Sequence, residues 1–408
     1  MNFISIEGYS RAMRKVVVTG MGAVSAFGIG VPVFWDKLQS GVCGIGPLRT
    51  LPTTDLKLQT GAEFGGFDPA AHLSREHMLL ADRNAQFALL AGREALCQAG
   101  LKLPPQAAIV TGCCVGGKHM EDAGYWDIYR ENKPRVHPMT IPKVMANAAA
   151  SLLAMEHHVT GPVFTLSTAC SSSNHAIGQA FWMVRNGVVD VALTGGSEAP
   201  FVFGLLKAWD AMRVVSPSVC RPFSRGRTGM SLGEGAAMLV IESEEHARLR
   251  GATPLAELAG FGMSADAHHI TQPKPEGAAS AMRMALRDAG LAPEQVGYIN
   301  AHGTGTQAND PAECIALRMV FGNSVPAVSS TKSMHGHALG AAGALEAVAS
   351  VEALRRGVLP PTANWEAADP DCDLDVIPNT ARIQQVEAVL SNSFAFGGLN
   401  AVIAFRRV

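Results

Sequence analysis

One stretch and three loops of this 408-residue chain carry residue types that can do chemistry together. The stretch is 165–180 (TLSTACSSSNHAIGQA), where an apolar run over 163–167 leads into Cys170 and a small-residue helix follows at once. A thiol at a helix N-terminus faces unpaired N–H groups and the positive end of the helix dipole. Both favour thiolate, which predicts a Cys170 pKa below the free value of ~8.5. The same N–H groups suit the oxyanion formed when a thiolate attacks a thioester. Against this stands the commoner fate of a cysteine, a small buried hydrophobe. The loops reverse the balance. They are 300–306 (NAHGTGT), 330–337 (STKSMHGH) and 392–400 (NSFAFGGLN), each following a strand-like run. They offer His302, His337, Lys332, Phe394 and Phe396 as partners for the thiol.

The elements that must hold these groups alternate along the chain. Strands are predicted at 15–20, 107–112, 163–167, 190–195 and 236–242. Helices are predicted at 31–40 and 79–100, after Pro142 to 157, and from Cys170 to 186. A Gly-rich turn is expected over 21–30, a polar and aromatic surface insertion over 118–142, and an ordered loop over 221–235. The second half repeats the logic, with strands at 254–262, 296–301, 325–330, 388–392 and 401–405 and helices at 276–289, 311–320 and 339–355. Such alternation argues an α/β fold with largely parallel sheets. Sites in these sheets collect at the carboxyl ends of strands, where all the candidate chemistry sits. The chain divides into a tail (1–14), a half bearing the nucleophile (15–252) and a half bearing the histidines (253–408), with Met1 and Met13 both open as starts.

Composition narrows the function classes. The chain is 48% hydrophobic and 17% charged with 42 glycines, which suits closely packed small-residue helices and not disorder. A net charge of −2 supplies no basic field for nucleic acid. Two local basic clusters stand out, Lys133, Arg135 and Lys143, and Arg213, Arg221, Arg225 and Arg227; solvated surface is the ordinary reading of each. None of the eight cysteines makes a C-x-x-C pair or another zinc spacing, so no metal is expected, and scattered free thiols fit a reducing cytoplasm. No run reaches the ~18 apolar residues of a membrane span, and the N-terminus lacks a signal-peptide pattern.

Taken in order, TACSS, NAHGTGT, SSTKSMxGH and NSFxFGGxN resemble the elongating β-ketoacyl-[acyl carrier protein] synthases of the thiolase superfamily, over residues 15–406. The resemblance implies a five-layered αβαβα core of two pseudo-duplicated halves, and a dimer. It implies that Cys170 takes an acyl group from an acyl carrier protein. His302 and His337 then stabilise the enolate of a malonyl thioester, and Lys332 tunes the histidines with Glu313 nearby. It further implies an oxyanion hole from the N–H groups of Cys170 and Phe396, a gate at Phe394 and Phe396, and Thr304 and Thr306 on the carrier's phosphopantetheine, with no bound cofactor. Since such carriers are acidic, Arg221, Arg225, Lys133 and Lys143 are candidates for docking.

Three positions depart from the family pattern. Ala395 and Ser173 stand where glycine is frequent, and Ala395 lacks glycine's freedom at positive φ. Val115, in the GCCVGG segment matching the acyl pocket at the dimer interface, stands where relatives carry a larger aliphatic, which predicts room for longer or stiffer chains. These departures favour specialised polyene or polyketide elongation over housekeeping fatty acid synthesis, with either a homodimer or a heterodimer with a chain-length factor. Two alternatives are weighed. A non-catalytic chain-length factor would lack the cysteine. A degradative thiolase would need a late catalytic cysteine, and Cys372 has an acidic setting without flanking glycines.

Overall fold

The computed structural model describes residues 13–408, so most of the expected tail lies outside the described residues. The first half contributes five strands, β1 (Val16–Ser25), β2 (Ala108–Gly112), β3 (Val163–Leu166), β4 (Val191–Glu198) and β5 (Gly235–Ser243). The second contributes β6 (Ala256–Ala265), β7 (Val296–Asn300), β8 (Ala327–Ser329), β9 (Ala388–Ala395) and β10 (Leu399–Arg406). They lie side by side in the order β8-β7-β9-β10-β6-β1-β5-β4-β2-β3. Counted outward from the β1–β6 seam, each half therefore presents its first, fifth, fourth, second and third strand. Within each half the fifth strand runs opposite to the other four, which are codirectional, and β1 and β6 meet antiparallel. The seam is short, pairing Val17 with Glu257 and Val18 with Ala256.

Alternating side chains divide the core into layers. Between the two sheets lie α3 (Ser172–Arg185) and α6 (Ala342–Arg356), whose Ala176, Ala180, Phe181, Leu345 and Val348 pack on Val110 and Leu239 of one sheet and Tyr298 and Ile403 of the other. On the outer face of the first sheet, α1 (Arg83–Ala99) and α2 (Ala148–His157) cover Ile109, Leu193 and Val240. On the outer face of the second, α4 (Pro275–Ala289) and α5 (Asn309–Phe321) cover Ile299, Leu390 and Val402. The result is αβαβα. Helices buried on both sides must be thin, and α3 and α6 are accordingly rich in alanine, glycine and serine.

Several local expectations are corrected. The turn expected over 21–30 is instead the second half of β1 and a short hairpin. A Cβ on Gly20 would sit 2.1 Å from the Ala95 carbonyl oxygen, and one on Gly22 1.9 Å from that of Ala91. These glycines let strand and helix touch; they do not turn the chain. The helix expected over 79–100 breaks before Asp82, whose carboxylate accepts the Arg83 N–H (2.8 Å) and starts α1 afresh. The insertion contains helices Lys118–Tyr129 and Thr140–Val144, and a further unforeseen helix spans Phe203–Met212.

Candidate active site

Cys170 follows β3 through a turn in which Ala169 takes φ +51°. An alanine in the left-handed region costs about 1–3 kcal/mol and persists only where its surroundings hold it. Here three contacts do so. The Ser172 hydroxyl donates to the Ala169 carbonyl (2.6 Å) and accepts the Thr168 N–H (2.9 Å), and the Ser171 hydroxyl donates to the Thr168 carbonyl (2.8 Å). The turn sets Cys170 directly before Ser171, the cap of α3. The backbone N–H groups of Cys170 and Phe396 both lie against the sulfur.

The electrostatic expectation for this thiol is overturned. Burial pushes the Cys170 pKa up to about 11, outweighing the lowering by Lys332 and by the two N–H groups. Desolvation of a buried anion exceeds the helix-end effect, so the resting group is a neutral thiol.

His302 follows β7. The Glu313 carboxylate, from α5, accepts the N–H groups of His302 (2.9 Å) and Gly303 (2.8 Å) and fixes this loop. His337 follows β8, and its N–H is held by the Ser231 carbonyl (2.7 Å). The two rings stand edge to face with centroids 5.5 Å apart. The cysteine sulfur and one nitrogen of each ring lie within 4.8 Å of one another. Burial first, then the charge of Lys332, holds both imidazoles well below the usual histidine range, so both are neutral at pH 7. A neutral imidazole donates an N–H without being a strong acid.

Lys332 is fully buried and its ammonium donates to the His302 carbonyl (2.6 Å). Its ion-pair partner is Glu346 of α6, while Glu313, expected nearby, holds the backbone of the His302 loop. His335, in the same loop, is buried away from the reacting groups, bonded to the Thr331 hydroxyl (3.0 Å) and packed on Phe34.

Cys170, His302 and His337 face one cavity of about 240 Å³, walled also by Thr304, Thr306, Phe394 and Phe396. The two threonine hydroxyls are 3.0 Å apart, and Asp310 positions their turn through the Gly305 N–H (3.1 Å). Phe394 is buried beside His302, while Phe396 is half-buried and faces Trp209 with centroids 6.3 Å apart. The strands around this turn run longer than expected and leave only three residues between them. Positive φ falls on Gly397 (84°) and Gly398 (69°), not on Ala395, so the alanine carries no strain there.

The remaining candidates stand outside the cavity walls. The Val115 N–H is held by Glu198 (3.2 Å). Lys133 is exposed and paired with Asp127 (2.7 Å), Arg221 is paired with Glu366 (2.8 Å), and Arg225 is exposed. Lys143 is corrected: it is buried, its ammonium donating to the Met78 carbonyl (3.1 Å), and it offers no docking surface. Cys372, the thiolase alternative, is buried in a short turn away from the cavity.

Sequence reading missed two carboxylates. Glu346 is the one acid within the small-residue run AGALEAVAS, a setting that demands a buried partner. Glu198, at the end of β4, accepts the N–H groups of Cys114 (2.7 Å), Val115 and Gly340 (3.0 Å); burial raises its pKa to about 7.

A doubled αβαβα core, with a cysteine at a helix start in one half and two neutral imidazoles from the other, defines a thiolase-superfamily acyltransferase. Residues 13–247 match the family described as "Beta-ketoacyl synthase, N-terminal domain" and residues 255–366 its C-terminal domain, and the chain belongs to this family. It is 48% identical to nodulation protein E of Rhizobium sp. (strain N33), over 97% of this chain and all of that one. It is 40% identical to 3-oxoacyl-[acyl-carrier-protein] synthase 2 of Coxiella burnetii, over 97% of this chain and 99% of that one. Among solved structures, the ishigamide ketosynthase/chain length factor matches with a TM-score of 0.94 and 36% identity, covering 97% of this chain and 100% of that chain. The protein is an acyltransferase of the ketosynthase type. No helix among the described residues is long and apolar enough to cross a membrane.

Proposed function

We propose that the protein catalyses decarboxylative Claisen condensation of a malonyl thioester with an acyl group held on Cys170, both delivered by an acyl carrier protein. The observation that carries this reading is the convergence of the sulfur with two neutral imidazoles on one cavity. Cys170 attacks the acyl thioester, its proton leaves with the carrier thiol, and the oxyanion is held by the N–H groups of Cys170 and Phe396. A malonyl thioester then places its carbonyl oxygen at His302 and His337. The bond to the carboxylate breaks, CO₂ departs, and the electron pair becomes an enolate stabilised by two N–H donors. Neutral donors lower the barrier without protonating the carbanion. The carbanion attacks the acyl carbonyl, a carbon–carbon bond forms, and the Cys170 thiolate leaves. Lys332 orients this pair through the His302 carbonyl, and Thr304 and Thr306 bond the phosphopantetheine arm. No resident cofactor enters this scheme.

Mass spectrometry of the protein mixed with acyl-loaded carrier protein tests it. An adduct on Cys170, absent in Cys170→Ala and discharged by malonyl-carrier, is expected. Absence of any adduct across chain lengths would sink the reading.

The finer assignment is specialised elongation. The higher identity to a nodulation protein than to the synthase supports it, and the small Val115 side chain, outside the cavity walls of this chain, is read as room for longer or stiffer chains where a second subunit would complete the acyl pocket. Val115→Phe is expected to shift transfer towards short chains. Carrier docking is assigned to Arg221, Arg225 and Lys133, and charge reversal at Arg221 and Arg225 should raise KM for carrier-bound substrate with kcat kept. A dimer, with itself or with a chain-length factor, is supported by β3, which ends the sheet with only β2 beside it and Phe164 exposed. The reaction is assigned to the cytoplasm.

A further inference from the structure

We propose that Cys170, His302 and His337 form a binding site for a borderline-soft d¹⁰ cation, Zn²⁺ or Cd²⁺, which caps the nucleophile reversibly. Sequence spacing hides such a site, because its three donors come from three separate strand ends and meet only in the fold.

The donors are the right kind and they are free. The sulfur and one nitrogen of each ring already lie within 4.8 Å of one another. Tetrahedral zinc with Zn–S of ~2.3 Å and Zn–N of ~2.0–2.1 Å needs its donors about 3.5 Å apart. Small side-chain rotations therefore bring the three onto one ion. All three side chains are buried, with Cys170 7%, His302 3% and His337 1% exposed. Neither ring nitrogen of His337 has a hydrogen-bond partner in the protein, nor has Nδ1 of His302. Both rings can therefore take the tautomer that turns a lone pair to the metal, with no bond broken.

The surroundings fit an open site. Three protein donors leave the fourth tetrahedral position facing the 240 Å³ cavity, where water fits. That is the arrangement of exchangeable, catalytic-type zinc and not of closed structural zinc. The neighbouring ammonium of Lys332, whose charge already acts on both rings, is paired with Glu346, and that pairing offsets part of its repulsion of a dication. One thiolate and two imidazoles suit Zn²⁺ and Cd²⁺; Mg²⁺ and Ca²⁺ prefer oxygen donors. Binding forms one M–S and two M–N bonds and releases the thiol proton to solvent. No electron moves. The sulfur is then unavailable to a thioester until the ion leaves. The inference rests on the geometry of the three donors and not on the condensation chemistry.

Co²⁺ is the spectroscopic probe. The full-length protein, in metal-free anaerobic buffer, is titrated with Co²⁺. A near-ultraviolet sulfur-to-cobalt charge-transfer band and tetrahedral visible bands are expected. Cys170→Ser should lose the charge-transfer band, and His302→Ala and His337→Ala should each weaken binding by at least about 100-fold, more than the loss of a group that only orients a ligand. In the wild type, Zn²⁺ in slight excess should slow alkylation of Cys170 by iodoacetamide at least tenfold, EDTA should restore it, and Mg²⁺ should do nothing. A band that survives Cys170→Ser would place the metal on other cysteines and overturn the proposal. So would undiminished Zn²⁺ protection in both histidine variants, or no protection in the wild type. Acyl transfer in metal-free buffer reports separately on the ketosynthase reading.

Discussion

The two halves of the molecule have one plan and two chemistries. Each lays down its strands in the same spatial order, and each sends a helix, α3 or α6, into the shared middle layer. Yet the loop after β3 carries the nucleophile, while its counterpart after β8 carries Lys332 and His337. The loop after β7 carries His302, while its counterpart after β2 carries Cys113, Cys114 and Val115. Duplication therefore supplies two equivalent rims, and the residues placed there divide the labour: covalent capture from one half, enolate stabilisation from the other. The reacting groups meet because the central helices pack together and bring the carboxyl ends of both sheets to one cavity.

That division can be broken experimentally. His302→Ala and His337→Ala should each slow condensation about 10²–10⁴-fold while still allowing an acyl adduct on Cys170. Equal loss of both steps would erase the distinction between the halves. A second test concerns the resting thiol. With its pKa near 11, Cys170 should be alkylated by iodoacetamide about tenfold faster for each pH unit from 7 to 10, without a plateau. Lys332→Met removes a cation that lowers this pKa and should slow alkylation at pH 8; a plateau near neutral pH in the wild type would restore the helix-end reading.

Glu198 tests the contact between the halves, since it accepts N–H groups from Cys114 and Val115 of the first and Gly340 of the second. Its folded pKa, about 7, lies above the unfolded value, so the folded state holds the proton longer. Its contribution is fully present below about pH 4.5 and is lost as pH rises through 7, by about 3 kcal/mol. Denaturant unfolding between pH 5 and 8 should show this fall, and Glu198→Gln should remove the share owed to Glu198, leaving that of Glu346, whose pKa burial also raises to about 7. Where β1 touches α1, Gly22→Ala should cost about 1–3 kcal/mol, because the new methyl group meets the α1 backbone; an unchanged denaturation midpoint would make that contact yielding. The smallest effect belongs to the gate: Ala395→Gly should change stability by under about 1 kcal/mol and leave acylation unchanged, since the positions that need positive φ are already glycines, Gly397 and Gly398.

The chemistry and the fold class were legible from residue order. A cysteine between an apolar strand and a small-residue helix, and two histidines in Gly-rich loops after strands, are local patterns, and local patterns survive in one dimension. So were most strands and helices, because hydrophobic period is also local. Boundaries fared worse where glycine had two meanings: Gly20 and Gly22 looked like a turn and are sites of strand–helix contact. What residue order left open was which group faces which. Lys332 needed an acid, and only the packing of α6 selected Glu346 over Glu313, which the backbone of the His302 loop had engaged. The state of the nucleophile was also decided in three dimensions. The helix start is written in the sequence and favours thiolate, but the depth of burial is not, and desolvation dominates. Lys143 shows the same rule at the surface, a basic residue whose charge the fold turned inward. Sequence settles which groups are available and on what kind of element; burial and partner choice arise from contacts between residues far apart in the chain.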